Sequence, residues 1–266
     1  MARDCGAAAA AAVSITWGAE TRSATIVIAL IAGAIAGAVW AMIAAELRRR
    51  FHVLEIISTI MLNFIAIHLV SFLVRGPLQE PTHIYPQTET IAGVARLPIM
   101  VAGTRLHAGL IVAVAIAAIL SVVFRKTAIG FQIRALGAGP RAAESAGKIN
   151  VARLSWVVLI CSGAIAGLAG AIEVSGVTFA LYENISPGYG YTAIAVALIA
   201  GLNPLGVIAS GIFFGILETG ALALQRDFAI PSSIAAMTEA LLILATLALT
   251  SLRGRSMIFS RTERAI

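Results

Sequence analysis

Long apolar segments most constrain what this 266-residue chain can fold into. An α-helix rises about 1.5 Å per residue, so about 20 apolar residues cross the roughly 30 Å hydrocarbon core of a bilayer. Segments of about this length lie at residues 24–45, 53–74, 107–124, 156–177, 205–225 and 234–251. A further apolar run at residues 191–201 covers only about 17 Å as a helix, which predicts a half-span or broken helix. The sequence therefore predicts an all-α, polytopic transmembrane helical bundle of about seven spans.

The composition argues against a soluble domain and against a nucleic-acid partner. Hydrophobic residues make up 59% of the chain and charged residues only 12%, too few for the charged coat of a soluble protein. The 19 Lys and Arg residues give a formal net charge of +6, but they avoid the apolar segments and form no basic surface interleaved with aromatic residues. The basic excess therefore indicates membrane topology.

Enzyme motifs are absent from the sequence. It contains no His-Glu-x-x-His pattern, no serine-elbow motif and no phosphate-binding Gly-x-x-x-x-Gly-Lys pattern. Cys5 and Cys161 have neither metal-ligand spacing nor the character of a disulfide pair. The chain is therefore not expected to hydrolyse ATP or to bind a cofactor itself.

The positions of the basic residues predict the orientation, because short cytoplasmic loops collect Lys and Arg. Basic residues follow the first span at Arg48–Arg50, recur through residues 125–155 and recur again in residues 252–266. Residues 252–266 are therefore predicted to be a basic cytoplasmic tail that follows a membrane domain at residues 24–251. Residues 1–23 are assigned to a polar, alanine-rich leader. An odd number of crossings places this leader outside without a signal peptide, which suggests that further helices precede the first span.

The polar stretch RALGAGPRAAESAGKIN, residues 134–150, lies in the predicted cytoplasmic loop of residues 125–155. Pro140 suits the first turn of a helix, the residues after it favour helix, and Gly147 can end it. The sequence predicts a surface helix of about two turns, which needs packing through Ala142 and Ala143 because it is too short to be stable alone. The alternative is an interfacial connector that rests on lipid headgroups.

Polar residues within the spans are candidate pathway residues, because such groups are costly in a bilayer unless they are paired or face water. At about 100° per residue, Ser58, Thr59 and Asn63 share one arc of a helix with Glu55, and His68 falls on the opposite side. This arc is expected to face protein or water. The alternative is that its residues only hydrogen-bond to neighbouring helices, and that Glu55 forms an interfacial ion pair.

Three further residues complete the candidate pathway. Glu173 lies near the outer end of its span and is either a cavity group or a surface carboxylate, whereas Glu218 is deeper and is expected to face a cavity. Asn203 belongs to the Asn-Pro break that follows the short apolar run. A stripe of small residues on the span of Glu173 predicts close helix packing, as does the sequence GAIAG near residue 33, and its members are Gly163, Gly167 and Gly170.

Several segments together point to a known family. They are EIISTIMLNFIAIHLVSFLVRGPL, TAIGFQIRALGAGPRAAESAGKINVARL, SGAIAGLAGAIEVSG and SPGYGYTAIAVALIAGLNPLGVIASGIFFGILETGALALQ. In this order they resemble the permease subunits of bacterial ABC importers for nucleosides and simple sugars, within the branched-chain amino acid and ribose permease superfamily. The first segment is similar to the nucleoside branch. Family members usually carry further helices before residue 24, so the chain resembles one that lacks its N-terminal helices.

The resemblance implies partners and a coupling site. Residues 134–149 would hold the coupling helix that docks on an ABC ATPase subunit, which binds the ATP and magnesium. The coupling residues would be Arg134, Gly137, Pro140, Ala142, Ala143, Glu144 and Gly147. A second homologous permease subunit, a substrate-binding lipoprotein and membrane lipid are the other implied partners. The sequence departs from the family pattern at two positions. Lys148 stands between Gly147 and Ile149, where the family typically passes from Gly directly to an apolar residue, and Glu239 stands where the family often has Gln.

The predicted function is therefore a permease subunit of an ATP-driven importer, in the bacterial inner membrane with a cytoplasmic C-terminus. The resemblance to the nucleoside branch implies that the expected substrate is a nucleoside. Neutral polar groups such as Ser, Thr and Asn are compatible with a polar, uncharged solute of this kind. The alternatives are an importer of a simple sugar of the ribose or galactose type, or a truncated membrane scaffold that does not transport. Branched-chain amino acid import is more distant.

Overall fold

The helices of the chain follow the predicted apolar segments closely. The computed structural model describes residues 1–16, 22–51, 54–101, 103–104, 106–145, 150–186 and 188–228, and single positions or pairs between 233 and 248. The helices in this part of the chain are α1 Ala2–Thr16, α2 Arg22–Phe51, α3 Glu55–Arg75, α4 Gly109–Lys126, α5 Ala128–Ala138, α6 Pro140–Ser145, α7 Val151–Glu173, α8 Tyr189–Ile199 and α9 Pro204–Phe228. A 3-10 turn at Gly93–Ala95 and a π-helical turn at Val174–Thr178 complete the helical elements. Within the described residues, extended pairing is limited to isolated β-bridges.

Among the described residues, five helical segments are long and apolar enough to cross a membrane. They are Ala24–Phe51, Ile57–Arg75, Gly109–Lys126, Val151–Thr178 and Pro204–Asp227. The shorter apolar helix Tyr189–Ile199 coincides with the run that was predicted to be a half-span. The prediction of an all-α transmembrane bundle is confirmed. The last predicted span, residues 234–251, falls largely outside the described residues.

The chain divides into two compact units. The first contains residues 1–113 and 126–187, and the second contains residues 114–125 and 188–266. The division falls inside α4, whose first residues belong to the first unit.

Close packing of α1, α2 and α7 forms the centre of the first unit. These helices meet at glycines that leave no room for a side chain: a Cβ on Gly33 would lie 2.6 Å from the Cβ of Ala171, and one on Gly163 would lie 2.6 Å from the carbonyl oxygen of Gly37. Backbones approach this closely only where both faces are small. The small-residue stripe of α7 is therefore a packing surface, as the sequence predicted.

Helix α1 differs from the leader that was expected at residues 1–23. Ala7, Ala8 and Ala11 are buried in one apolar cluster with Val70 and Val74 of α3. The segment was assigned to a leader because the assignment used length and hydropathy. Its 15 residues are too few to cross a bilayer alone, and alanine favours helix but adds little hydropathy.

The predicted cytoplasmic loop also contains more helix than expected. Helix α6 begins at Pro140 as predicted, but an 11-residue helix, α5, precedes it. The side chain of Thr127 caps α5 by accepting a hydrogen bond from the backbone N–H of Gly130 at 3.1 Å. This Thr cap was not recognised in the sequence, although Thr is a preferred N-cap residue. Gly147 lies outside the described residues.

The second unit is built on a helical hairpin of α8 and α9. Helix α8 stops at Ile199, and Gly201 and Leu202 adopt positive φ angles of 59° and 58° before α9 begins at Pro204. The Ser210 hydroxyl of α9 donates to the Val196 carbonyl of α8 at 2.9 Å, which fixes the two helices against each other. The break predicted from Gly and Asn-Pro is thus a tight turn, in which Gly201 supplies a conformation that L-residues disfavour.

Candidate functional site

The polar arc of α3 lies along the buried side of that helix. Ser58 is buried, and its hydroxyl donates to the Leu54 carbonyl at 3.4 Å. Leu62 and Ala66, one and two turns further along, are also buried, which identifies this side as the inner face. The half-buried Thr59 and Asn63 flank it, whereas the opposite residue His68 is exposed. The side chain of Glu55 is outside the described part of the structure.

Glu173 ends α7 and forms an ion pair with α1. Its Oε2 lies 3.2 Å from Nη2 of Arg3, and the two side chains are only 22% and 18% exposed. Arg3 also donates through Nη1 to the Ser186 hydroxyl at 3.1 Å. Glu173 is therefore a partly buried, paired carboxylate, and its place in the substrate pathway stays a prediction. Its partner was missed because Arg3 is 170 positions away, in the segment that was assigned to a leader.

A π-helical turn follows Glu173 directly. The Thr178 hydroxyl donates to the Ala180 carbonyl at 3.0 Å, and Phe179 then adopts a left-handed φ of 55°. Ser175 in this turn is fully buried, and its hydroxyl has no hydrogen-bond partner among the described residues. Turns of this kind are rare and occur frequently at functional sites. The sequence carried no recognisable signal for it.

Residues 88–97, in the loop between α3 and α4, contact the segment that follows α7. The Thr88 N–H donates to the Leu181 carbonyl at 2.8 Å, and the Leu181 N–H donates to the Thr88 hydroxyl at 3.0 Å. The Leu97 N–H donates to the Ser175 carbonyl at 2.9 Å, and the Arg96 guanidinium lies 4.6 Å from the ring centroid of Phe179. These contacts attach the loop between α3 and α4 to the π-helical turn.

A second ion pair joins the loop after the π-helical turn to α3. Glu183 accepts hydrogen bonds from the Arg75 guanidinium at 2.6 and 3.0 Å and from the Ser71 hydroxyl at 2.5 Å. These donors, Arg75 first, lower the pKa of Glu183 from 4.5 to about 2. The carboxylate is therefore charged at all physiological pH values.

Asn203 and Glu218 lie in the second unit. Asn203 caps α9, because its Oδ1 accepts a hydrogen bond from the Leu205 N–H at 3.2 Å. Glu218 is on the exposed side of α9, fifteen positions further on and about 22 Å along the helix axis. The structure therefore brings Ser58, Thr59 and Asn63 together on one face, pairs Glu173 with Arg3, and does not join Asn203 and Glu218 in one site.

Except for Gly147, which lies outside the described residues, the predicted coupling residues lie in a helix pair formed by α5 and α6. Arg134, Gly137, Pro140 and Glu144 are exposed, whereas Ala143 is buried at 5% exposure. The Gly139 N–H donates to the Ala135 carbonyl, and the Ala143 N–H donates to the Gly139 carbonyl, so the turn between the helices is held by backbone hydrogen bonds. The side chain of Ala142 is outside the described part.

No group of three or more His, Cys, Asp or Glu side chains suited to a metal ion occurs among the described residues. The charged groups near the end of α7 are engaged with each other in the Arg3 and Glu173 pair. On the inner face of α3, the described polar groups are the neutral hydroxyl and amide groups of Ser58, Thr59 and Asn63, which can form hydrogen bonds.

Comparison with known proteins places this architecture in a family. Residues 5–250 match the family model described as branched-chain amino acid transport system / permease component. No solved structure is significantly similar to the chain. The match covers every helix whose geometry is described above except the start of α1.

Three curated relatives of the chain are named as ABC transporter permeases. The chain is 36% identical to the glucose ABC transporter permease protein TsgB13 of Haloferax volcanii over 80% of its length, and 35% identical to the guanosine ABC transporter permease protein NupP of Bacillus subtilis over 82%. It is 30% identical to the nucleoside ABC transporter permease protein NupB of Lactococcus lactis, again over 82%. The chain spans 59%, 63% and 62% of the lengths of these three relatives. The chain therefore belongs to the branched-chain amino acid transport system permease family, whose curated relatives here are ABC transporter permeases.

Proposed function

We propose that this chain acts as the transmembrane permease subunit of an ATP-driven importer and that its substrate is a nucleoside. The family match over residues 5–250 carries the proposal. Guanosine and nucleoside permeases at 35% and 30% identity favour the substrate class. The neutral hydroxyl and amide groups on the inner face of α3 suit a polar, uncharged solute such as a nucleoside, because they offer hydrogen bonds without a net charge.

The partners in this proposal are an ABC ATPase subunit, a second homologous permease subunit and a substrate-binding lipoprotein. ATP and magnesium bind the ATPase subunit, so this chain contributes the path and the mechanical connection. The helix pair α5 and α6 is the docking element for the ATPase, on the cytoplasmic side together with the C-terminus. Its exposed Arg134, Gly137, Pro140 and Glu144 offer a contact surface, while the buried Ala143 transmits the movement of α6 to the bundle.

A simple sugar is the second candidate substrate, because the glucose permease of Haloferax volcanii is 36% identical to this chain. Nucleosides and sugars share hydroxyl groups, but only a nucleoside carries a base that can stack and hydrogen-bond. Uptake of radiolabelled guanosine and of glucose, in cells that express the chain with its ATPase and receptor subunits, distinguishes the two. We expect guanosine uptake that excess adenosine inhibits and excess glucose does not.

Two other outcomes would contradict the proposal. Glucose uptake without guanosine uptake would assign the site to sugars. Co-purification with the ATPase subunit without uptake of either solute would assign the chain to a scaffold that does not transport.

A further inference from the structure

The C-terminal end of α2 carries a groove that the permease function does not use. It has a volume of about 440 Å³ and is lined by Met42, Ile43, Glu46, Leu47, Arg50 and Phe51. These positions recur at intervals of four along the helix, so they form one continuous face. Met42 and Ile43 are 40% exposed and Phe51 is 70% exposed. An apolar groove, hereafter the α2 groove, thus lies open beside a charged rim.

The rim holds two guanidinium groups on one carboxylate. Glu46 Oε1 lies 2.9 Å from Nη2 of Arg49 and 2.5 Å from Nε of Arg50. With Arg48, this end of the helix carries three positive charges against one negative charge, a net charge of +2 (3 − 1). Both paired arginines remain more than half exposed, and each uses only one nitrogen in the contacts with Glu46. The arrangement orients guanidinium donors beside the groove without neutralising them.

The position of the groove identifies the occupant. The span Ala24–Phe51 has 28 residues, which is about 42 Å of helix and exceeds the roughly 30 Å hydrocarbon core. Because charged groups are costly in the hydrocarbon core, the Arg48–Arg50 end of this long helix belongs in the headgroup layer. Arg49 and Arg50 would then lie at the level of the phosphates, with Met42 and Ile43 nearer the acyl chains. A guanidinium binds phosphate through paired hydrogen bonds, and an apolar groove beneath it suits an acyl chain.

We propose that the α2 groove binds one anionic phospholipid, with its phosphate on Arg49 and Arg50 and an acyl chain against Met42, Ile43, Leu47 and Phe51. The charge complementarity selects an anionic lipid over a zwitterionic one, because basic residues at the surface of a bilayer attract anionic headgroups. The site is independent of the transported substrate. A lipid bound there would contact α2, the helix that packs along α7 at the centre of the first unit.

Native mass spectrometry of the purified chain tests this proposal with phosphatidylglycerol and phosphatidylcholine of identical acyl chains at equal concentrations. We expect phosphatidylglycerol to be retained preferentially, and the preference to fall as salt is raised. Each arginine should contribute about fivefold to that preference. The double variant Arg49→Gln and Arg50→Gln should therefore reduce it about 25-fold. The variant Arg49→Lys and Arg50→Lys keeps both charges and should retain most of the preference.

Arg226→Gln is the matched control. Arg226 is also an exposed arginine near the C-terminal end of a membrane-spanning helix and also lies near a carboxylate, that of Asp227 at 3.7 Å. This variant should leave the preference unchanged. Glycerol phosphate, which has the headgroup phosphate but no acyl chain, should not displace the lipid at equal concentration.

Four outcomes would overturn the proposal. They are equal retention of the two lipids by the unmodified chain, full preference in the double Gln variant, an equal loss in Arg226→Gln, and a dimer that excludes phosphatidylglycerol from the groove. The first and the last need no variant, so a misfolded variant does not leave the proposal untested.

Discussion

Asn203 has two possible roles, and the structure supports one of them directly. Its side chain caps α9 by accepting the Leu205 N–H, immediately after the turn with positive φ angles. A role in the substrate pathway, which the sequence suggested, remains a prediction. The two roles differ in what substitution they tolerate, because Ser and Asp can replace Asn as a cap.

The substitution Asn203→Ala should therefore destabilise the protein by about 1 kcal/mol. Asn203→Ser should change the stability by only about 0.3 kcal/mol, because Ser is also a good N-cap residue. Thermal unfolding in detergent measures the stability, and labelled nucleoside uptake measures the pathway. If Asn203 also contacts substrate, Asn203→Ser will reduce uptake while the unfolding midpoint stays unchanged. Equal uptake by the Ser variant and the unmodified chain would remove Asn203 from the pathway.

Glu183 gives a prediction about pH. Its pKa is lowered to about 2 in the folded protein, chiefly by hydrogen bonds from Arg75 and also from Ser71. Because the folded value lies below the ordinary value of 4.5, this contact contributes stability above about pH 4.5 and loses it as the pH falls towards 2. The Arg75 side chain is 65% exposed and the Glu183 side chain is 30% exposed, so solvent screening keeps the contribution small.

Arg75→Gln should raise the pKa of Glu183 towards 4.5. Carbon NMR of labelled glutamate side chains, recorded as a function of pH, measures this shift. Glu80 is an internal control, because its pKa is lowered mainly by hydrogen bonds from Gln87 and Thr82 and should not move. An unchanged titration of Glu183 in the Arg75 variant would contradict the ion pair.

At the scale of the helices, close glycine contacts hold α2 and α7 together. A Cβ on Gly167 would lie 2.8 Å from the Cα of Gly37 and even closer to the Gly33 carbonyl oxygen. Neither neighbour can move without shifting a backbone. Gly215 on α9, by contrast, has no described atom within 4 Å of such a Cβ.

Gly167→Ala should destabilise the protein by about 1–3 kcal/mol through overpacking. Gly215→Ala should be neutral or stabilising by up to about 1 kcal/mol, because Ala favours helix over Gly. Thermal unfolding of both variants in the same detergent gives the comparison. Similar midpoints for the two variants would show that α2 and α7 pack less closely than described.

Helix α6 is the element in which local structure should matter most for coupling. It has six residues, and Ala143 within it is buried. Proline at position 144 would remove a helical N–H and clash with the preceding turn, at a cost of about 3 kcal/mol or more in a helix interior.

Glu144→Pro should therefore uncouple ATP hydrolysis from uptake while membrane insertion remains normal. Glu144→Ala is the control, since Ala preserves the helix and removes only the exposed carboxylate. ATPase activity and nucleoside uptake, both measured in proteoliposomes with the partner subunits, report the coupling. Undiminished substrate-driven uptake by the Pro variant would exclude α6 as the coupling element.

At the scale of the whole molecule, the proposed orientation makes a prediction about accessibility. In a background with Cys5→Ser and Cys161→Ser, a membrane-impermeant maleimide should label Gly137→Cys in inverted vesicles but not in intact cells. Ile84→Cys, at an exposed position of the loop between α3 and α4, should show the opposite pattern. Labelling of Gly137→Cys from outside would reverse the proposed topology and separate α5 and α6 from the ATPase.

The sequence determined the elements whose causes are local. Bilayer thickness and the rise of a helix predicted the spans that became α2, α3, α4, α7 and α9, and the Gly and Asn-Pro signals predicted the end of α8. Pro140 predicted the start of α6, and the small residues of α7 predicted its packing face. Each of these follows from residues within one or a few helical turns of each other.

Only the tertiary structure decided which distant groups meet. It placed α1 in the core beside Val70 and Val74, paired Arg3 with Glu173, and joined Arg75 to Glu183. The two ion pairs lie more than a hundred positions apart in sequence, and no periodicity within a single segment specifies any of these contacts. The π-helical turn at Val174–Thr178 also depends on distant residues. Backbone hydrogen bonds from Leu97 to Ser175 and from Ile91 to Phe179 join the loop between α3 and α4 to this turn and to the residue after it.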